Sequence, residues 1–207
     1  MATRVWLMRH AEACHPEVFH GFESDVDLSE WGYRQAAAVA PVIAGDRPDF
    51  IYASGMRRAR ETAGPIAKAC GLSLQIEPDL HERKVGELVG SPAQPERGIW
   101  PDTLQRWIAG DTGYAPEGSE SYLDIQRRVL PVWDRLIERH DGRSLVVVCH
   151  GIVCRVLLLS LLPNRTVADW KQLGRIENVS ISDLAGSGRT WQASRIAEVP
   201  REVRELR

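Results

Sequence analysis

The chain predicts an α/β fold with a mostly parallel central sheet and helices on both faces of that sheet. Short apolar runs, such as residues 5–8 and 145–149, have the length and composition of buried strands. Stretches in which apolar residues recur at helical spacing alternate with these runs. The chain has 207 residues, of which 43% are hydrophobic, so it can bury one substantial core. We therefore expect a single domain over residues 1–207.

The first half of the chain is predicted to alternate between strand and helix. After the first strand, Ser29 is the N-cap candidate of an Ala-rich helix that Gly45 closes. Residues 49–54 predict a second buried strand, and the helix at 57–69 ends at Gly71. The remaining predicted elements are a strand at 72–76, a helix at 122–140, a strand at 145–149, a helix beyond residue 151, and a hairpin formed by 179–184 and 190–196. His140, at the end of its helix, is expected to face solvent.

Residues 78–118 differ from the rest of the chain. They are rich in Pro and Gly, and they contain one short helix candidate at 103–109. Long irregular segments inside compact domains often cover functional sites. We predict that residues 78–118 form an inserted cover over the active site rather than a separate domain.

Composition excludes several functional classes. The formal net charge is −2, so the chain lacks the positive field with which nucleic-acid binders neutralise phosphates. No stretch approaches the roughly 18 apolar residues that span a bilayer, and the first apolar run is too short for a signal peptide. The four cysteines form neither a disulfide framework nor a zinc motif, which predicts reduced thiols in the cytoplasm. We expect no nucleic-acid or membrane partner.

Five side chains with related chemistry follow predicted strands or lie in one loop. Arg9 and His10 follow the first strand, Arg58 opens the helix after the second, and His150 follows the strand at 145–149. Glu82 lies in the predicted cover. In open α/β sheets, ligands bind at the carboxyl ends of strands. Guanidinium groups match phosphate oxygens, a neutral imidazole can attack phosphorus, and a carboxylic acid can protonate the departing oxygen. Together they can transfer a phosphoryl group without a metal.

Each of these residues also has an ordinary structural interpretation. A histidine at a strand end is more often structural than functional, and Glu82 by itself is a common loop carboxylate. Arg58 could be a surface cation, which is our interpretation of the neighbouring Arg57 and Arg60.

Three residues after the first strand are candidate metal ligands. Cys14, His15 and His20 could be imagined as metal ligands, but their spacing fits no common zinc pattern, so we predict no metal site.

The combination of motifs resembles the histidine phosphatase superfamily, in its phosphoglycerate mutase-like branch. The resemblance spans residue 4 to about residue 184. The residues that carry it are Arg9-His10-Ala11-Glu12, Asp27-Leu28-Ser29, Gly32, Gln35-Ala36, Arg58-Ala59-Arg60-Glu61-Thr62-Ala63, Glu82, Gly86, Gly118-Ser119-Glu120-Ser121 and His150-Gly151. Each motif alone is weakly specific, whereas their joint order and spacing are specific.

This resemblance implies a phosphomonoesterase that works in two steps and needs no cofactor. His10 attacks phosphorus to give a phosphohistidine, and water then releases phosphate. Arg9, Arg58 and His150 hold the phosphoryl oxygens, while Glu82 protonates the leaving oxygen and later accepts a proton from water. His10 must be neutral to attack, and we expect Arg9 and Arg58 to lower its pKa.

The resemblance leaves three functions to compare. Hydrolysis of a small phosphorylated metabolite is favoured, and the alternatives are a phosphoglycerate-type mutase and a non-catalytic phospho-ligand binding protein. Arg83 follows Glu82 as it does in mutases and is the first candidate to bind an acidic part of the substrate. However, Val85 replaces the aromatic residue expected there, and the predicted cover lacks an adjacent arginine pair.

Two further departures from the family pattern concern the phosphate site. Ala11 stands where the family usually has Gly, and an Asn is missing from residues 14–17.

Overall fold

The computed structural model describes residues 2–93, 97–188 and 190–206, and it contains a six-stranded sheet within them. Its strands are β1 (Thr3–Arg9), β2 (Phe50–Ser54), β3 (Leu74–Glu77), β4 (Ser144–Cys149), β5 (Ile181–Ser187) and β6 (Thr190–Glu198). The α-helices of the described residues are α1 (Glu30–Gly45), α2 (Arg57–Cys70), α3 (Ile99–Ile108), α4 (Tyr122–Arg139), α5 (Gly151–Leu161) and α6 (Arg201–Arg204). The predicted strands and long helices are all present, with ends shifted by a few residues.

The sheet has the strand order β3-β2-β4-β1-β5-β6. Strands β1 to β4 pair in parallel, whereas β5 runs antiparallel to both β1 and β6. The predicted hairpin and the mostly parallel sheet are therefore confirmed. Since β1 pairs with β4 so that Arg9 lies opposite Cys149, His10 and His150 begin side by side at one edge of the sheet.

The core consists of two hydrophobic clusters, one on each face of the sheet. Successive residues of β1 alternate between them: Val5 and Leu7 belong to the cluster with α4 and α5, whereas Trp6 and Met8 belong to the cluster with α1 and α2. All four β1 side chains are at most 1% exposed. Burial on both faces explains why the central strands are continuous apolar runs.

Local capping signals set the ends of two helices as predicted. The Ser29 hydroxyl accepts a hydrogen bond from the Gly32 N–H at 2.9 Å and starts α1. Gly71 ends α2 with a φ of 66°, a left-handed conformation that glycine adopts without a side-chain clash.

The prediction that His140 faces solvent is wrong. His140 caps the C-terminus of α4 but is only 8% exposed. Its Nε2 atom lies 2.8 Å from the Tyr52 hydroxyl, and its ring centroid is 3.9 Å from that of Phe50. The end of α4 packs against the start of β2, which the periodicity of α4 alone does not indicate.

Residues 78–93 and 97–118 contain two 3₁₀ turns, Pro78–Leu80 and Gly86–Leu88, followed by α3. Helix α3 begins at Ile99, four residues before the predicted start at 103. Its Trp107 is fully buried, with ring centroids 5.9 Å from Tyr122 and 5.8 Å from Trp170. This aromatic cluster joins α3 to the main core. No helix of the described residues has the length and apolar character needed to cross a membrane.

Candidate active site

A cavity of about 590 Å³ opens at the carboxyl ends of β1 and β4. Its lining includes Arg9, His10, Arg58, Glu82 and Gly151. These residues come from four separate parts of the chain, and the fold brings them to the edge of the sheet where parallel strands bind ligands. The predicted residues Arg9, His10, Arg58 and Glu82 therefore share one cavity.

The His10 ring is held in one orientation. Its Nδ1 atom lies 2.6 Å from the backbone oxygen of Ala11, so Nδ1 carries the proton and donates it. The His10 backbone N–H donates to the Cys149 oxygen at 2.9 Å, and the Asn178 amide donates to the His10 oxygen at 3.0 Å. In the neutral ring, Nε2 therefore keeps its lone pair, as a nucleophile requires.

The environment of His10 favours the neutral imidazole. Burial lowers the pKa of His10 well below its usual value, and the charges of Arg58 and Arg9 lower it further. The predicted direction of this pKa shift agrees with the structure. The largest cause, however, is desolvation of a side chain that is 5% exposed, rather than the two arginines.

Both cavity arginines are fixed by backbone oxygens. Arg9 Nη1 donates to the Ile176 oxygen at 2.7 Å. Arg58 Nη1 and Nη2 donate to the oxygens of Ser24 and Gly21 at 2.9 Å and 2.8 Å. Neither arginine forms an ion pair with a carboxylate among the described residues, and burial lowers the pKa of both. Two oriented guanidinium groups beside His10 can bind the oxygens of a phosphoryl group.

Thr62 connects Arg58 to the segment after β1, a role that the sequence did not indicate. Its hydroxyl accepts from the Ala11 N–H at 2.9 Å and donates to the Arg58 backbone oxygen at 2.7 Å. Ala11 lies outside the left-handed region, and its side chain is fully buried in the core. Alanine is therefore compatible with this position, where the family usually has glycine.

His150 lies beside His10 but does not line the cavity. It is fully buried, and the two ring centroids are 5.1 Å apart in an edge-on arrangement. His150 Nε2 is 2.8 Å from the Ser54 hydroxyl, which itself accepts a bond from the Met56 N–H. The His150 Nδ1 atom is buried and has no hydrogen-bond partner among the described residues. Burial lowers the pKa of His150 well below its usual value.

Glu82 links the irregular segment to helix α5. One carboxylate oxygen accepts from the Arg83 N–H at 2.8 Å, and the other accepts from the Ile152 N–H at 3.2 Å. Ile152 lies in the first turn of α5, where backbone N–H groups are free to bind anions. The carboxylate is thereby placed at the cavity beside Arg9 and Arg58.

Arg83 is largely buried but reaches the cavity. It is 1% exposed, with Nε donating to the Glu120 backbone oxygen at 2.9 Å and Nη2 to the Ser119 hydroxyl at 3.3 Å. Its guanidinium carbon lies 5.0 Å from the ring centroids of both Trp100 and Trp107. Burial lowers the pKa of Arg83 to about 10.

A partly buried ion pair that the sequence did not indicate holds the backbone on both sides of Glu82. Arg128 contacts the Glu120 carboxylate twice, at 2.8 Å and 2.9 Å. Its Nη1 also donates to the backbone oxygens of Asp79 at 2.7 Å and His81 at 2.9 Å. Glu120 in turn accepts from the Lys84 N–H at 2.9 Å. The contacts to Asp79, His81 and Lys84 join residues that are 36 to 49 positions apart in the chain, so no local pattern reveals them.

Glu23 is a second contact that the sequence did not indicate. Its carboxylate accepts from the N–H groups of Val85 at 3.0 Å and Gly86 at 3.1 Å. Its two chain neighbours also take part, since Phe22 N–H donates to the Arg83 oxygen and the Ser24 oxygen accepts from Arg58. The segment that fixes Arg58 therefore also supports the loop that carries Glu82.

His20 and the four cysteines are the other candidate ligands or nucleophiles. His20 lines the cavity, with Nε2 donating to the His15 oxygen at 2.9 Å. No cluster of His, Cys, Asp or Glu suitable for a metal ion occurs within the described residues. All four cysteines are free, and burial raises the pKa of Cys149 well above its usual value, which makes it a poor nucleophile.

Comparison with known proteins identifies the family. The model of the histidine phosphatase superfamily (branch 1) matches residues 5–199. The chain belongs to the histidine phosphatase superfamily.

Its similar proteins include named phosphatases. A glucosyl-3-phosphoglycerate phosphatase of Mycolicibacterium vanbaalenii is 33% identical over 172 residues, which cover 80% of this chain and 76% of that protein. A metal-independent phosphoserine phosphatase of Arabidopsis thaliana is 29% identical over 194 residues, covering 91% and 79%. The solved structure of a mycobacterial glucosyl-3-phosphoglycerate phosphatase superposes with a TM-score of 0.82 at 28% identity, covering 95% and 99%.

These comparisons confirm three predictions for this histidine phosphatase. The family and the phosphoglycerate mutase-like α/β fold agree with the family match and the superposed structure. The predicted enzyme class, a phosphomonoester hydrolase, agrees with the family and with the names of its relatives.

Proposed function

We propose that this histidine phosphatase hydrolyses a small-molecule phosphomonoester through a phosphohistidine formed on His10, without a metal ion. The observation that carries the proposal is the state of His10 in the cavity. Its Nδ1 proton is bonded to the Ala11 oxygen and its pKa is lowered by burial, while Arg9 and Arg58 present oriented donors beside it.

In the first step, the Nε2 lone pair of His10 attacks phosphorus, and the bond from phosphorus to the ester oxygen breaks. The charge on the phosphoryl oxygens is stabilised by Arg9 and Arg58, which backbone oxygens hold in place. His150, whose ring centroid is 5.1 Å from that of His10 and whose Nδ1 atom is unpartnered among the described residues, is the further group proposed to donate to a phosphoryl oxygen. This role requires its buried ring to gain contact with the cavity when substrate binds. Glu82 gives its proton to the ester oxygen, which leaves as an alcohol.

In the second step, Glu82 takes a proton from water, and the water oxygen attacks the phosphohistidine. The bond from His10 Nε2 to phosphorus breaks, inorganic phosphate leaves, and both side chains return to their initial states. The contact between Glu82 and the first turn of α5 supports this role because it places the carboxylate beside the cavity arginines.

The surroundings of the cavity support a small substrate under a cover. Arg83, Val85, Ala93, Trp100 and Leu104 all line the cavity, and all belong to residues 78–118. We therefore assign this segment as an inserted cover within one domain and Arg83 as a contact for the substrate. Four free cysteines fit the proposed cytoplasmic location.

The first experiment measures phosphate release from a panel of phosphorylated metabolites in the presence of a metal chelator. Wild type is compared with His10→Ala and with His15→Ala, a control because the His15 side chain is 75% exposed. We expect release by wild type and His15→Ala and loss of release in His10→Ala. A phosphoenzyme should be detected by intact mass spectrometry after rapid quenching of wild type and of His15→Ala, and it should be absent from His10→Ala.

Each alternative gives a different result in this experiment. Unchanged release by His10→Ala would overturn the assignment of the nucleophile. Isomerisation of a phosphoglycerate without net release would indicate a mutase. Binding of phosphorylated metabolites with no turnover and no phosphoenzyme would indicate a phospho-ligand binding protein.

A further inference from the structure

Three cations of the cavity have no part in the proposed reaction. Arg155, Lys171 and Arg175 line the cavity together with Arg9. Arg155 lies in α5, one helical turn after Gly151, and the other two lie in the segment that leads to β5. We call these three residues the basic wall.

The basic wall adjoins the phosphoryl site. A Cβ atom at Gly151 would lie 3.5 Å from Nε of Arg9, so Arg9 rests on the start of α5. Arg9 also donates to the oxygen of Ile176, the residue after Arg175. One substrate could therefore contact Arg9 and the basic wall at the same time.

Arg155 is held in place by the segment between α5 and β5. Its Nη1 donates to the Trp170 oxygen, its Nη2 donates to the Gly174 oxygen at 2.5 Å, and its guanidinium carbon lies 4.9 Å from the Trp170 ring centroid. These partners are neutral, and Arg155 forms no ion pair with a carboxylate among the described residues. Burial lowers the pKa of Arg155 to about 10, which is the expected effect of a partly desolvated cation without an anionic neighbour.

Lys171 and Arg175 extend the positive charge toward solvent. Both side chains are exposed, and both flank the loop that Arg155 fixes. Lys171 forms no ion pair within the described residues, and Arg175 has one long, exposed contact with Glu177 at 3.4 Å. Such exposed contacts contribute little to stability, so the Arg175 guanidinium is available to a ligand.

The charges of the cavity lining are unequal. Its cationic side chains are Arg9, Arg58, Arg83, Arg155, Lys171 and Arg175, and its carboxylates are Glu12 and Glu82. Glu12 accepts from the Ser29 hydroxyl at 2.8 Å, and Glu82 accepts from backbone N–H groups. A phosphoryl group at His10 uses Arg9 and Arg58. The positive charge that remains exceeds what a substrate with one phosphate can neutralise.

We propose that the basic wall binds a second anionic group of the substrate, a carboxylate or a phosphate, while the reacting phosphoryl group lies at His10. This inference rests on the proposed function for the position of the reacting group. It assigns specificity to Lys171 and Arg175, with Arg155 holding their loop. The preferred substrates are phosphomonoesters with a second negative charge a few bonds from the reacting phosphate.

The test measures binding to His10→Ala protein by titration calorimetry, so it does not depend on turnover. The probes are 3-phosphoglycerate and glycerol 3-phosphate, in which a hydroxymethyl group replaces the carboxylate. A second pair, fructose 1,6-bisphosphate and fructose 6-phosphate, tests a phosphate as the second anion. In at least one pair, we expect the probe with two anionic groups to bind about tenfold more tightly than the probe with one. The pair that shows this preference identifies the second group.

The basic wall is then altered without changing the phosphoryl site. In the His10→Ala background, Lys171→Gln with Arg175→Gln should remove the tenfold preference. The affinity for the probes with a single phosphate and no other anionic group should stay unchanged. The matched control is Arg60→Gln with Lys68→Gln, which removes two exposed cations from α2, outside the cavity lining. This control should keep the preference.

Three results would overturn the inference. They are no preference in either pair, no measurable binding of any probe, and a preference that survives in the Lys171 and Arg175 variant. The last result would indicate that Arg83, which also lines the cavity, binds the second anionic group instead. If these probes bind as expected but wild type releases no phosphate in any assay, the proposed hydrolysis fails and the second anion site stands.

Discussion

The two halves of the active site are held in different ways. Arg9 is the last residue of β1 and His10 follows it. This central strand is hydrogen-bonded to β4 on one side and β5 on the other. Glu82 lies in an irregular segment that Glu23 and the Arg128–Glu120 pair hold by side-chain contacts. The sheet determines where the first half lies, whereas a few long-range polar contacts determine where the second half lies. Changes to each half should therefore have different consequences.

The largest effect is expected from removing the acid itself. Glu82→Gln cannot donate a proton, so hydrolysis of alkyl phosphomonoesters should slow by roughly 10²- to 10⁴-fold. Formation of the phosphoenzyme from p-nitrophenyl phosphate should slow far less, because nitrophenolate leaves without a proton. Rapid-quench measurement of phosphoenzyme formation from both substrates checks this, with exposed Glu87→Gln as the control. An equal loss on both substrates would argue against a proton donor at Glu82.

The second prediction perturbs the sheet-bound half. In α1, a Cβ atom at Gly32 would lie 2.0 Å from the backbone oxygen of Glu12, two residues after His10. Gly32→Ala must displace that backbone, and we expect it to lower the free energy of unfolding by about 1–3 kcal/mol or more. At Gly64 in α2 a Cβ atom meets nothing within 4 Å.

The control for Gly32→Ala is therefore Gly64→Ala. This substitution should raise the free energy of unfolding by about 0.5–1 kcal/mol, because alanine is the better helix former. Urea unfolding of both variants measures the difference. Equal stabilities would show that the backbone around Glu12 can move at little cost. That result would contradict the view that the sheet fixes this half of the active site.

The third prediction loosens the half that carries Glu82. Arg128→Lys keeps the charge but cannot reproduce two contacts to Glu120 and two to backbone oxygens. We expect kcat for an alkyl phosphomonoester to fall about tenfold, or about 1.4 kcal/mol, with KM little changed. Phosphoenzyme formation from p-nitrophenyl phosphate, measured by rapid quench, should be preserved, since this step needs no proton donor.

The neighbouring residue supplies the matched control for this prediction. Arg127 has a side chain that is 75% exposed, with a single distant contact to Asp124 at 3.7 Å. Arg127→Lys should leave both substrates unaffected. A parallel loss on the two substrates in Arg128→Lys would mean that the ion pair stabilises the fold without positioning Glu82.

The smallest effect concerns the pH dependence of stability. Burial lowers the pKa of His10, His150 and His140 in the folded protein. Between the unfolded value of about 6.5 and the lower folded value, the unfolded chain binds more protons. The free energy of unfolding should therefore fall as pH drops below about 6.5, and these groups should cost no stability above it.

A substitution at His140, which packs against β2, distinguishes its contribution to the pH dependence of stability from that of the active-site histidines. His140→Gln removes one of these groups, so the loss of stability between about pH 6.5 and pH 5 should be smaller than in wild type. Urea unfolding at both pH values measures the loss. The exposed His15→Gln is the control. An unchanged loss in His140→Gln would show that the active-site histidines alone produce the effect.

Most of the half of the active site that the sheet holds could be predicted from the sequence. The positions of Arg9, His10 and His150 follow from apolar runs that end at known residues, and the start of α1 follows from its Ser29 cap. Such signals lie within a few residues of the feature that they specify, and a parallel sheet brings the ends of its strands to one edge.

The supporting contacts could not be predicted in the same way. Ser54 meets His150 across 96 positions of the chain, and Arg128 meets the His81 oxygen across 47. The burial of His140 also depends on β2, which is distant in sequence. These arrangements depend on how whole elements pack, so they cannot be predicted from local periodicity.

By itself, then, the sequence determined the alternation of strands and helices, the edge of the sheet at which His10 lies, and the chemistry available there. Only the tertiary structure decided how Glu82 is held, which tautomer His10 adopts, and that Arg155, Lys171 and Arg175 join the same cavity. The physical reason is the range of the interactions. Strand burial and helix capping act between near neighbours, whereas hydrogen bonds and charges in a cavity join segments that meet only after folding.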